Sequence, residues 1–340
     1  MKKHFCRVVL IVGCILIILA LAVRTVDPFL HYKNHFDGVS HYLPEPYARF
    51  INDGMARNYD YDSIITGTSM TQNFLPSQMD ELFGVKTVKL TASGGNWKEI
   101  NEIVKQAFLY NSNIKYVVRG LDLSAAIENK DDTHYDGLPE YLTDDNSFND
   151  VNYLLDKRAM YICAMDIAYT IKGIPGTSMD EYCYWANTAD WVPVEYEFDT
   201  VTHEQNALSD EEKELLLGNV RQNVTDIASE HPDTTFIYFI CPYSICYFDS
   251  LETAGELDKY LEAEELIIRE CNRYENIEIY SFFDREDIIC DLSNYKDTGH
   301  YLENVNSYML ECFKSGEGRI TLDDLSDYRA REVKLMKKTR

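Results

Sequence analysis

Basic side chains are scarce in most of this chain. Its 340 residues include 57 acidic and 32 basic side chains, which gives a formal net charge of −25 at pH 7. The basic residues also cluster at the two ends, so that residues 25–328 hold 22 basic against 56 acidic side chains. Such a body repels polyanions and anionic membrane surfaces. The composition therefore argues against a nucleic-acid ligand.

Paired cysteine motifs are absent as well. Two of the nine cysteines lie in an apolar segment at the amino terminus, and the other seven have no CxxC spacing: Cys163, Cys183, Cys241, Cys246, Cys271, Cys290 and Cys312. The sequence therefore predicts neither a metal site nor a cofactor. Cys241 and Cys246 are close enough to bridge a loop, but buried free thiols are the favoured interpretation.

A long apolar run occurs at the amino terminus. Lys2, Lys3 and Arg7 precede sixteen apolar residues, Val8 to Val23. At the helical rise this run nearly spans a bilayer core, and it exceeds the usual limit of about 15 residues for a signal-peptide core. We therefore predict an uncleaved membrane anchor, with a signal peptide cleaved near Ala20-Leu21-Ala22 as the alternative. Since a positive flank stays in the cytoplasm, either interpretation places the body outside it.

Apolar strand-like segments alternate with helical patterns along the rest of the chain. The segments are residues 62–65, 85–90, 114–118, 235–241 and 277–283. Strands separated by helices form a doubly wound, mainly parallel sheet. The predicted fold is therefore an α/β domain with a five-stranded sheet in a three-layer, flavodoxin-like arrangement, preceded by a transmembrane helix.

The domain boundaries follow from the same pattern. Residues 1–24 are the predicted anchor, 25–60 a proline-interrupted stalk or packing segment, and 61–315 the α/β domain. Residues 316–340 are predicted to form a helix with a basic tail. Residues 125–205 break the alternation with acidic, tyrosine-rich sequence, and we interpret them as an insertion. It could form a lid, a surface for a polyhydroxylated partner, or structural padding.

A serine follows the first predicted strand. Ile64 and Ile65 belong to a β-branched run that leads into Gly67-Thr68-Ser69. Because the carboxyl end of a strand in an α/β sheet faces the ligand crevice, Ser69 can present its hydroxyl and its backbone N–H there. The alternative is a turn that only caps the next helix.

Two further motifs follow the second and third strands. Gly94, Gly95 and Asn96 lie between a strand and a helix, a layout that suits an anion-binding turn, although the glycines could serve only close packing. Arg119 and Asp122 stand at the end of the third strand. In a parallel sheet this pair would face the same edge as Ser69, which makes both residues candidates for binding substrate.

A third motif lies after the last strand. Asp297 and His300 stand three residues apart in a loop that precedes a helix. At this spacing the carboxylate can hold one imidazole nitrogen while the other faces a nucleophile, as serine acyl transfer requires. A lone DxxH is a weak signal. It gains weight after a sheet whose first strand ends in Gly-x-Ser.

The order of these motifs resembles the SGNH/GDSL hydrolase superfamily over roughly residues 60–315. Together with the anchor, it looks closest to extracytoplasmic members such as the D-alanyl-lipoteichoic acid transfer proteins and the alginate-acetylation proteins, which work beside membrane-bound O-acyltransferases. Thr68 stands where the family often has Asp, and Asp122 where it has an Asn that donates to the oxyanion. An ionised Asp122 would repel that charge.

The resemblance implies a role for each motif. Ser69 would be the nucleophile, His300 the general base and Asp297 the acid that orients it. The implied oxyanion donors are the N–H groups of Ser69 and of Gly94 or Gly95, with Asn96 as a substitute for the family Asn.

The expected function is therefore that of a membrane-anchored, extracytoplasmic serine acyltransferase or esterase. Its substrate would be O-acyl groups of a cell-surface glycan or teichoic-acid-like polymer, with a membrane-bound O-acyltransferase as a partner. Two alternatives remain: an inactive SGNH-like scaffold that binds glycan or supports an acyltransferase, and an anchored α/β protein in which the serine and histidine never meet.

Overall fold

Five short strands form one parallel sheet in a computed structural model that describes residues 2–32, 38–144, 146–185 and 204–338. The strands are β1 (Ser63–Gly67), β2 (Thr87–Thr91), β3 (Tyr116–Leu121), β4 (Thr235–Ile240) and β5 (Ile277–Tyr280). Each coincides with a predicted segment, so the α/β prediction is confirmed. Residues 186–203 of the predicted insertion lie outside the described residues.

The sheet has the strand order β2-β1-β3-β4-β5, and every neighbouring pair is parallel. This is the flavodoxin-like order, in which the chain leaves β1 for one edge and then crosses back to its other side. The point where the order reverses lies between β1 and β3. Ligands of open α/β sheets bind at such a point, beyond the carboxyl ends of the strands.

Helices occupy most of the remaining described chain. Their bounds are α1 (Lys2–Val26), α2 (Ala48–Asn58), α3 (Pro76–Phe83), α4 (Trp97–Tyr110), α5 (Glu140–Thr143), α6 (Val151–Leu154), α7 (Lys157–Lys172), α8 (Asp210–Val220), α9 (Asp226–Glu230), α10 (Ile245–Thr253), α11 (Leu257–Cys271), α12 (Glu286–Ile289), α13 (Glu303–Ser315) and α14 (Leu325–Lys338). A π-helical turn, Arg221–Thr225, joins α8 to α9.

Two compact units divide the chain. The first consists of residues 1–60 and 136–183, and the second of residues 61–135 and 184–340. The first holds α1, α2 and α5–α7, and its interior includes Asp27, whose carboxylate accepts hydrogen bonds from the Tyr153 hydroxyl and the backbone N–H of His31. The second unit holds the whole sheet.

Within the first unit, α2 lies in residues 25–60, the predicted stalk or packing segment. Prolines were expected to interrupt that stretch, and Pro44 and Pro46 stand just before α2 and within the 3₁₀ turn Glu45–Tyr47 that leads into it. Proline is tolerated at a helix start because the first N–H groups have no intrahelical acceptor. The following eleven residues then bury Ile51 and Met55 completely.

Helix α1 has the length and composition of a membrane span. Among the described residues it is the single helix that passes this test, with 25 residues and a mean hydropathy of 3.0 in its most apolar window. Side chains from Val8 to Leu21 are largely exposed, and the buried ones are Val23 and Val26 at its carboxyl end. The apolar surface of α1 therefore lacks cover from the described protein.

In the second unit, α14 packs through a buried polar cluster. Glu264 on α11 and Glu332 on α14 are both fully buried, and burial together with the Glu264 charge raises the pKa of Glu332 well above its usual value. Glu264 also accepts hydrogen bonds from Tyr328 and Ser281, at 2.5 Å and 2.6 Å. The Arg329 guanidinium lies 2.6 Å from the Glu332 carboxyl group. Polar contacts thus hold the C-terminal helix together with its buried apolar side chains, which include Leu325 and Leu335.

Candidate active site

Ser69 lies on the turn that leaves β1 and is partly exposed. The Thr68 side chain accepts a hydrogen bond from the Met70 N–H and so caps the 3₁₀ turn Ser69–Thr71. Gly67 has a φ of +146°, and a Cβ there would lie 2.7 Å from the Thr71 side chain. Glycine is required at this position because both the conformation and the space exclude a side chain. The turn therefore raises Ser69 above the carboxyl end of the strand.

The Ser69 hydroxyl contacts His300, and His300 contacts Asp297. The distances are 2.8 Å from Ser69 Oγ to His300 Nε2 and 2.8 Å from His300 Nδ1 to Asp297 Oδ2. Since a carboxylate only accepts, Nδ1 carries a proton and donates to it, which leaves Nε2 as the acceptor for the serine O–H. The His300 side chain is 37 % exposed, so a ligand can reach this nitrogen.

The loop that carries Asp297 and His300 is tied to the segment after β4. Ser244 donates through its hydroxyl to the Thr298 carbonyl at 2.7 Å, and Tyr295 donates to the Pro242 carbonyl at 2.8 Å. Asp297 Oδ1 accepts from the N–H of His300 at 2.7 Å, which closes the turn on itself. The imidazole therefore sits on a rigid turn.

Asp297 stays ionised at physiological pH. Burial alone would raise its pKa, but hydrogen bonds from the His300 ring and from the N–H groups of His300 and Gly299 outweigh burial and lower the pKa to about 2. A permanently charged carboxylate keeps the imidazole in one tautomer and stabilises its protonated form. The three side chains thus have the geometry and charge of a nucleophile, a base and an orienting acid.

Backbone N–H groups near Ser69 are candidates for oxyanion donors. Those of Ser69 and Gly94 have no acceptor within the described part of the chain, whereas the N–H of Gly95 donates to the Ala92 carbonyl at 3.0 Å. Gly94 has a φ of +68°, a left-handed conformation that favours glycine. Of the two predicted glycines, Gly94 is therefore the one with a free donor.

Asn96 differs from the prediction that it donates to an oxyanion. Its side-chain oxygen caps α4 by accepting from the Glu99 N–H, as part of a capping box. Its Nδ2 donates to the Glu128 carboxylate at 3.1 Å and to the Asp132 carbonyl at 2.9 Å. Both amide hydrogens are therefore engaged, and Asn96 is a structural residue in this conformation.

Arg119 also differs from its predicted place beside Asp122. The side chain has no exposed surface and donates to the carbonyls of Asn223 and Trp97, at 2.7 Å and 2.9 Å. Burial lowers the pKa of its guanidinium to about 10. A group enclosed in this way cannot contact a ligand at the edge of the sheet, so Arg119 serves packing instead.

Asp122 does lie at that edge, and it is partly exposed. One carboxylate oxygen accepts from the hydroxyls of Tyr243 and Ser124, and the other from the Thr68 hydroxyl at 3.4 Å. The hydrogen bond to Thr68 connects Asp122 to the turn that carries Ser69. The charge of the Asp122 carboxylate is therefore shared among several donors, which lessens its repulsion of a nearby anion.

Two aromatic residues near the site were not predicted. The Trp185 ring meets the His300 ring edge to face at 5.8 Å between centroids, and the Lys296 ammonium lies 5.1 Å from the Trp185 ring. Tyr243 directly follows β4 and Pro242, so its place after a strand was the signal that could have found it. Trp191 of the predicted insertion lies outside the described residues.

Metal ligands and disulfides play no visible part in this region. Within residues 2–32, 38–144, 146–185 and 204–338, no group of three or more His, Cys, Asp or Glu side chains could hold a metal ion. Cys241 and Cys246 are both buried free thiols.

Comparison with known proteins adds little to this picture. No protein-family model and no curated protein matches the chain. A solved structure from Streptococcus pneumonia, whose description names a platelet activating factor, matches 80 % of this chain and 91 % of its own at 10 % identity and a TM-score of 0.39. The function must therefore be argued from the side chains themselves.

Proposed function

We propose that this chain is a serine esterase or acyltransferase that acts on O-acyl groups through Ser69, His300 and Asp297. The observation that carries the proposal is the pair of 2.8 Å contacts that link Ser69 Oγ, the His300 ring and the Asp297 carboxylate. Hydrogen-bond reach between the nucleophile and its base is a requirement of this chemistry. In a protein of other purpose such a contact between residues 231 positions apart would be accidental.

The first half of the reaction forms an acyl-enzyme. His300 Nε2 removes the Ser69 hydroxyl proton as Oγ attacks the carbonyl carbon of the ester, and the carbonyl oxygen becomes an oxyanion. When the tetrahedral intermediate collapses, the bond to the alkoxy group breaks, and His300 returns its proton to the leaving oxygen. The products are acyl-Ser69 and a free alcohol.

The second half differs between a hydrolase and a transferase only in the acceptor. Water or a polymer hydroxyl gives its proton to His300 and attacks the acyl carbon, after which Ser69 leaves and recovers that proton. Throughout, the N–H groups of Ser69 and Gly94 would stabilise the oxyanion, and the loss of one such donor typically costs about 2.7–4 kcal/mol.

The substrate that fits these features is an O-acylated polymer at the cell surface. Helix α1 would hold the enzyme beside the membrane with residues 25–340 outside the cytoplasm, as the positive flank at Lys2 and Lys3 favours. The Trp185 ring next to His300 offers a face on which a sugar can stack. A neutral glycan suits the acidic body better than a teichoic-acid-like polyanion, and a membrane-bound O-acyltransferase would supply the acyl group.

One observation favours the scaffold alternative. Asp122 carries a carboxylate at the position of the family's oxyanion-donating Asn, and Asn96 is engaged elsewhere. If that charge prevents catalysis, the same cleft would bind an acylated glycan without turning it over. The alternative therefore predicts binding without covalent chemistry at Ser69.

The experiment is intact mass spectrometry of the detergent-solubilised full chain after treatment with a fluorophosphonate probe. We expect one adduct on the wild type, none on Ser69→Ala, and severely slowed labelling of His300→Ala. Ser229→Ala, which removes an exposed serine whose hydroxyl donates within its own helix, is the matched control and should label normally. A folded wild-type protein that gains no adduct would refute the enzyme and leave the scaffold.

The kinetics of turnover give a second check. Because nucleophile and base act as a unit, the double variant Ser69→Ala/His300→Ala should hydrolyse an activated ester scarcely more slowly than either single variant. Additive losses would show that the two residues act separately. A reporter fused after Arg340 and active only in the cytoplasm would contradict the orientation, and it would leave the chemistry untouched.

A further inference from the structure

His134 connects the glycine turn at the candidate oxyanion site to a carboxylate. Its Nδ1 lies 2.8 Å from the carbonyl oxygen of Gly94, and its Nε2 lies 2.8 Å from Glu128 Oε1. The side chain is 43 % exposed, so it is not buried for packing alone. Sequence reasoning gave no role to either residue.

Both partners of His134 are acceptors. A carbonyl and a carboxylate offer no proton, so each ring nitrogen must carry one for both hydrogen bonds to form. The ring is therefore an imidazolium in this arrangement. The hydrogen bond to Gly94 and the bond to Glu128 raise its pKa above the ordinary value, against the opposing effect of burial, and the charge of Glu99 adds to the rise.

The next residue holds the neighbouring peptide of the same turn. The Tyr135 hydroxyl donates to the Ser93 carbonyl at 2.5 Å, and that carbonyl shares a peptide plane with the Gly94 N–H. A hydrogen bond accepted by the carbonyl of a peptide orients and polarises the N–H on its other side. His134 holds the carbonyl of the following peptide, so both peptides that flank Gly94 Cα are held from the segment 128–135.

The segment is itself anchored to the start of α4. Asn96 donates to Glu128 and to the Asp132 carbonyl, and Tyr135 N–H donates to Glu99 Oε1 at 3.0 Å. Glu128 thus accepts from Asn96 with one oxygen and from His134 with the other. Loss of the proton on His134 would break one link of this network and leave the rest in place.

We propose that His134, in its imidazolium form, is a positioning residue that holds the Gly94 turn in the conformation that binds the oxyanion. The inference rests on the proposed function. It adds that the reaction requires a protonated His134 besides the Ser69–His300–Asp297 group. His134 touches no reacting atom and acts only through the turn. The enzyme would lose rate when His134 becomes neutral, although its nucleophile and base remain intact.

The direction of the pH effect follows from the raised pKa. The bridge is complete at pH values below the ordinary histidine pKa of about 6.5, and it is lost as the pH rises through the higher value of the folded protein. Within the described chain, the charged groups that face the ring are Glu128 from its own segment and Glu99 from α4. Both favour the imidazolium, so removal of either charge moves the loss to lower pH.

The first test measures the rate of fluorophosphonate labelling of Ser69 in the full-length protein between pH 5.5 and 9.5. Deprotonation of a general base alone would make the labelling rate rise with pH to a plateau. We expect the wild-type rate to fall below that plateau at alkaline pH. His134→Gln should label about 10- to 100-fold more slowly at neutral pH and lack that fall. Glu128→Gln, which keeps an acceptor for the ring, should label normally at low pH and lose rate at a lower pH than the wild type does.

A second test does not depend on catalysis. Protection against hydrogen–deuterium exchange, taken relative to the intrinsic exchange rate at each pH, should fall in peptides that contain residues 92–96 as wild-type His134 loses its proton, and it should be low at all pH values in His134→Gln. Nitrogen NMR of the imidazole should show both His134 nitrogens protonated at neutral pH. The matched control is His231→Gln, because His231 stacks on Phe108 at 3.6 Å and lies outside this network.

The outcomes separate the two proposals. If the wild type is never labelled, the proposed function fails. If exchange at residues 92–96 nevertheless follows the His134 titration, protonation of His134 still orders the turn but has no catalytic role. If labelling occurs while His134→Gln keeps the wild-type rate and pH profile, His134 is not a positioning residue. Exchange that ignores the titration, or a bare ring nitrogen at neutral pH, also overturns the inference.

Discussion

The buried pair of Glu264 and Glu332 makes stability depend on pH. Both carboxyl groups are fully buried, and burial together with the nearby Glu264 charge raises the pKa of Glu332 well above its usual value. In the unfolded chain both groups titrate near about 4.3. At pH values between about 4.3 and the raised pKa of Glu332, the folded state therefore holds one more proton than the unfolded state.

The size of the effect follows from that single proton. Where only the folded state binds it, the free energy of unfolding falls by about 1.4 kcal/mol for each unit of rising pH. Because the pKa of Glu332 is higher in the folded state, its contribution to the free energy of unfolding is complete below the unfolded pKa. The contribution is lost as the pH rises toward the folded pKa. Arg329 lies 2.6 Å from Glu332 and limits the rise without removing it.

The substitution Glu332→Gln tests this directly. The amide supplies a permanent N–H for Glu264, so the variant should lose this part of the pH dependence. Its stability relative to the wild type should rise by up to about 1.4 kcal/mol for each pH unit between about pH 5 and the raised pKa of Glu332. The measurement is urea unfolding in detergent at several pH values, followed by tryptophan fluorescence, since Trp97 is buried in the same unit.

Glu311→Gln serves as the control, because Glu311 is an exposed residue on the neighbouring stretch α13. It should leave the pH profile unchanged. Parallel profiles for the wild type and Glu332→Gln would show that Glu332 is ionised in the folded protein, and the reasoning from burial would then be refuted.

Three other substitutions have definite expected results. Asp122→Asn should keep or raise the labelling rate of Ser69, because an amide does not repel an oxyanion; a loss beyond about a hundredfold in a folded variant would give the carboxylate a positive role. Arg119→Met removes the two hydrogen bonds that the buried guanidinium donates to carbonyls and should lower the free energy of unfolding by about 1.5–3 kcal/mol in urea, with labelling of the folded fraction unchanged. Asp297→Asn should reduce ester turnover by about 10³- to 10⁴-fold. Because the pKa of Asp297 is about 2, this carboxylate stays ionised at pH 4, and its titration should produce no inflection in the wild-type pH profile above that pH.

The sheet and the meeting of Ser69 with His300 could be anticipated from the sequence. Apolar β-branched runs mark the strands, and parallel strands bring their carboxyl ends to one edge whatever their separation in the chain. The prediction for these residues needed only that rule. It required no knowledge of side-chain packing.

Arg119 shows where such reasoning stops. A strand position says on which side of the sheet a side chain lies, but the acceptors that enclose Arg119 are the carbonyls of Trp97 and of Asn223 in the π-helical turn. No local sequence pattern predicted the π-helical turn Arg221–Thr225. A long charged side chain can either reach solvent or turn inward, and distant backbone atoms decided the matter.

Asn96 is a different kind of failure, because its signal was in the sequence. Asn96 followed three residues later by Glu99 is the pattern of a capping box, in which the asparagine side chain serves the helix. Asn96 was interpreted as an oxyanion donor instead. His134 offered no comparable signal, since its partners come from the fold of residues 93–135.

The separation of 231 positions between Ser69 and His300 also bears on when the site can come into being. Synthesis proceeds from the amino terminus, so Ser69 and β1 leave the ribosome long before the loop that follows β5. Until that loop docks against the end of β4, the serine hydroxyl lacks the His300 contact that the proposed mechanism requires. A protein built this way acquires the contact between Ser69 and His300 only after nearly the whole chain has been synthesised and folded.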